Sequence, residues 1–71
     1  MKVINVFWQF ADIENSDTYD DIVFLNNNEV TEENIKREVE SYEDDNYCIN
    51  IVSWKIIANS YHDYIEGKLI E

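Results

Sequence analysis

The chain has 71 residues, 45% of them apolar, and sets sixteen carboxylates against five lysines and arginines, a formal charge of −11. One cysteine leaves no disulfide to be made within the chain, and no apolar run approaches the roughly 18 residues of a membrane-spanning helix. The acidic balance argues against direct binding to nucleic acid or to an anionic membrane, since both would repel it. A lone thiol suits a reducing compartment and residues 1–6 lack the shape of a signal peptide, so a cytoplasmic protein is expected.

Residues 3–10 read as a strand. Ile4, Val6, Trp8 and Phe10 share one face, while Val3 and Phe7 alternate with Asn5 and Gln9 on the other. Apolar residues on both faces predict a central position in a sheet. The polar residues 11–18 connect to a second strand over 19–25, with Ile22 and Phe24 opposed to Val23 and Leu25. Asn26, Asn27 and Asn28 then tolerate a turn.

Thr31 is expected to open a helix, its hydroxyl accepting the amide of Asn34 and Val30 packing on Ile35 as a hydrophobic staple. Ile35, Val39 and Tyr42 fall at i, i+4 and i+7, a single buried stripe. Glu33, Glu40 and Asp44 lie opposite, with Glu32 and Glu43 beside them. No glycine marks the end of this helix, which should fade near residues 43–45.

Residues 47–57 read as the third strand. Strict alternation places Cys48, Val52, Trp54 and Ile56 on one face and Ile49, Ile51 and Ile57 on the other, with Cys48 as a small core residue. In the tail, Ser60 can cap a short helix over 61–66 ended by Gly67, or Glu66 and Gly67 can turn a hairpin. The helix is the preferred reading.

These elements predict one α+β domain over residues 1–71, a small ββαβ antiparallel sheet in the order 2-1-3 with one helix packed on it and a short C-terminal helix or hairpin. The third strand runs parallel to the second, and the first, antiparallel to both, sits between them. A single helix covers one face of such a sheet. The other face needs the tail or a second copy of the chain, so a homodimer is one of two ways to complete the fold.

Residue types for catalysis are scarce. His62 and Asp63 are adjacent and point apart on any regular element, so they do not make an oriented dyad. Gly67 is the only glycine, which excludes a phosphate cradle. One cysteine and one histidine are too few for zinc. Asp12, Glu14, Asp17, Asp20 and Asp21 suit a hard cation, but in a calcium-loop register Asp17 stands where the turn glycine belongs and Val23 where the bidentate glutamate belongs. No catalytic residue, metal site or cofactor is expected.

The acids themselves are the main signal. Only Asp63, Glu66 and Glu71 lie outside residues 12–45, so that stretch holds thirteen of the sixteen carboxylates with Lys36 and Arg37 as its only bases. It carries the whole −11. Glu32–Lys36 and Glu33–Arg37 form i, i+4 pairs, each worth about 0.2–0.5 kcal/mol. Glu43, Asp44 and Asp45 crowd the carboxyl end of the helix, where each carboxylate is disfavoured by about 0.3–1 kcal/mol. A local rule broken three times in succession points to a demand other than stability. Reversing these three to lysine should leave the fold intact and abolish partner binding.

Rows of carboxylates on rigid elements can occupy a basic groove that normally holds a phosphate backbone. Nine asparagines, ten isoleucines and no proline are what an AT-rich coding sequence yields. In size and charge the chain resembles the small acidic accessory proteins of phages and mobile elements of low-GC bacteria. Some of those are DNA mimics that block host nucleases, repair enzymes or CRISPR effectors. The resemblance implies a non-catalytic inhibitor that binds a basic, nucleic-acid-binding protein through Asp17, Asp20, Asp21, Glu33, Glu40, Glu43, Asp44 and Asp45. The alternative is a structural module that self-associates through an exposed sheet face, with the acidic belt keeping it soluble.

Overall fold

Strand β1 (Lys2–Phe10) is the centre of the sheet, as its two apolar faces require. The computed structural model describes residues 1–42 and 48–70, Tyr42 by its backbone alone. Antiparallel neighbours flank β1: β2 (Tyr19–Leu25) on one side and β3 (Ile49–Ala58) on the other, giving the order β2-β1-β3. A single 3-10 turn over Asn27–Glu29 follows β2, then helix α1 (Glu32–Tyr42) and, after β3, the short helix α2 (Tyr61–Ile65). Among the described residues no helix is long and apolar enough to cross a membrane.

The start of α1 is built as its sequence dictates. Thr31 Oγ1 accepts the amide of Asn34 at 3.1 Å, and Val30 packs against the core that holds Ile35. Ile35 and Val39 are wholly buried against Ile4, Val6, Trp8, Val23, Leu25 and Ile49. Each such side chain contributes roughly 1.5–3 kcal/mol by leaving water.

β3 departs from strict alternation. Its register with β1 slips by one residue twice, leaving Ile57 and Val52 as the extra residues. A bulge of this kind inverts the parity of everything beyond it. Ile49 and Ile51 therefore return to the helix side with Ile56, and Ile49 is fully buried there, whereas alternation alone sends them to the opposite face. Cys48 is also corrected. It lies just before β3 and is exposed, because its place is at the entry to an edge strand; its carbonyl accepts the Ala11 amide at 2.9 Å.

The tail forms a helix and not a hairpin. Ser60 Oγ accepts the Asp63 amide at 3.0 Å, and Gly67 at φ 78° closes the far end. There the Lys68 amide donates to Asp63 O at 2.8 Å and the Gly67 amide to Tyr64 O at 3.2 Å, the two bonds of a Schellman motif. The rings of Tyr61 and Tyr64 meet Phe24 edge-on at 5.5 and 6.0 Å. Phe24 pairs with Val3, so α2 covers the face that α1 leaves bare, at the end where Val3 and Ala58 are fully buried. Towards Phe7 that face stays open.

Candidate functional site

Strand register sorts the charges along the sheet. β1 enters at Lys2 beside Leu25 and leaves at Phe10 beside Ile49, a run of about 26 Å at 3.3 Å per residue. The connection between β1 and β2 therefore lies at the Phe10 end, and with it Asp12, Glu14, Asp17 and Asp20, all exposed. None of the four has a cation within ion-pair distance among the described residues. Lys2 and Lys68 belong to the opposite end: Lys2 pairs with Leu25, and Lys68 follows α2. Lys55 pairs with Asn5 mid-sheet, and Lys36 and Arg37 ride on α1. No described base pairs with these four acids, although Lys36 lines a groove with Asn50 and Ile51 towards the same end of the sheet.

The loop itself is held in shape. Ser16 Oγ accepts the Phe10 amide at 3.1 Å and donates to Asp17 O at 2.9 Å, while Gln9 Nε2 donates to Thr18 Oγ1 at 2.9 Å. Asn15 takes φ 60°, a left-handed conformation that asparagine tolerates. Beneath the loop, Trp8 stacks on Tyr19 at 5.0 Å and meets Phe10 edge-on at 4.9 Å. The acids are presented on a braced platform.

The residues singled out from sequence divide into four groups. Asp17 and Asp20 come together at this end, joined by Asp12 and Glu14, which the partner-binding set omitted although their place in the same acidic connection marked them. Asp21 is half-buried on the other side of β2 from Asp20 and accepts the Trp8 indole N–H at 2.8 Å, so it has a structural bond. Glu40 is also half-buried, its Oε2 taking the Ile49 amide at 3.4 Å. Glu33 stands apart on α1, 3.4 Å from Arg37 with both side chains largely in solvent, where such a pair contributes little. Glu43, Asp44 and Asp45 lie outside the described residues. The expected Glu32–Lys36 ion pair is not formed; both side chains instead line an open groove of about 490 Å³ with Glu33, Asn50 and Ile51.

His62 Nε2 lies 3.1 Å from Glu66 Oε1 on the exposed side of α2, and the Ser60 hydroxyl is engaged in capping that helix. No three histidine, cysteine, aspartate or glutamate side chains converge to hold a metal ion among the described residues. The fold and charge define a small acidic α+β domain. No family model matches the chain, and neither does any curated protein or solved structure.

Proposed function

We propose that the chain is a non-catalytic acidic binding protein that occupies the basic groove of a nucleic-acid-binding protein, as a mimic of the phosphate backbone. One observation carries the reading: Asp12, Glu14 and Asp17 on a braced loop and Asp20 at the start of β2 are all exposed at one end of the sheet, with no described base within ion-pair distance. Uncompensated like charges on a small domain raise its self-repulsion. Their stabilising use is to meet a complementary field, which steers encounter and selects the partner. A nuclease, repair enzyme or CRISPR effector working in the cytoplasm presents such a groove. The small acidic phage proteins that the chain resembles in size and charge supply the same class of partner.

Asp21 and Glu40 leave this surface as structural groups, while Asp12 and Glu14 enter it. The test is a charge reversal, Asp12→Lys with Asp17→Lys and Asp20→Lys. All three side chains are exposed, so the fold is expected to stand. Captured from a cell lysate, a partner held by the parent and released by rising salt should be absent from the variant. A partner retained equally by both places the binding surface elsewhere.

A further inference from the structure

We draw no further inference here: the strongest candidate, the open outer edge of β3 over residues 50–56 and the groove that Glu32, Glu33, Lys36, Asn50 and Ile51 line beside it, has no neighbouring strand among the described residues and a lining of mixed charge, so nothing in the structure shows what covers it.

Discussion

The indole N–H of Trp8 donates to Asp21 Oδ2 at 2.8 Å across β1 and β2, diagonal to the Val6–Asp21 pair. Trp8 is only 2% exposed, so this carboxylate is the means by which a buried donor is satisfied. Asp21→Leu should cost about 1–3 kcal/mol, because it leaves the indole N–H without a partner. Asp21→Asn, which keeps an acceptor oxygen, should cost less. Denaturant titration followed by tryptophan fluorescence checks both, and equal stability of Asp21→Leu and the parent would return Asp21 to the list of free surface acids.

The cap of α1 gives a second expectation. Thr31→Ala removes the acceptor of the Asn34 amide and should lower stability by about 1 kcal/mol. Ser60→Ala removes the analogous bond to Asp63, but at the end of a five-residue helix. Its effect should be confined to faster exchange of the tail amides with a smaller change in the global melt.

Asn5 occupies the middle of the central strand, and its Oδ1 is buried without a partner among the described residues. A buried acceptor left unpaired costs about 1–3 kcal/mol. Asn5→Val, close in volume and branched at Cβ as strands favour, should therefore stabilise the domain by about 1 kcal/mol or more. A thermal melt decides this, and a loss of stability would show that Asn5 does something the buried oxygen does not reveal.

Glu40 separates structure from binding on α1. Glu40→Ala should free the Ile49 amide and raise its exchange rate, while leaving capture of a partner by the loop acids intact. If partner binding fails instead with Ile49 exchange unchanged, Glu40 belongs to the interface.

Much of this architecture was legible because single local rules decide it. Hydrophobic alternation on both faces fixes β1 as central, the Thr31 and Ser60 hydroxyls open their helices, and Gly67 ends α2. β3 was not legible in detail. The bulge at Val52 restores Ile49 and Ile51 to the core side, and a bulge has no signature in an Ile-Val-rich run without glycine. The same holds for the acids. Composition locates them along the chain, but only tertiary pairing reveals that Asp21 answers Trp8 and Glu40 answers Ile49, while Asp12 and Glu14 have no partner among the described residues.

If the exposed acids at the Phe10 end stand in for a phosphate backbone, as proposed, DNA should compete with them for the partner. A partner captured on the immobilised protein is challenged with a short DNA duplex at constant ionic strength. The duplex should release the partner in proportion to its concentration, and binding should fall steeply between about 50 and 200 mM salt, as phosphate contacts do. A complex that duplex DNA leaves intact and that salt does not weaken would contradict that reading.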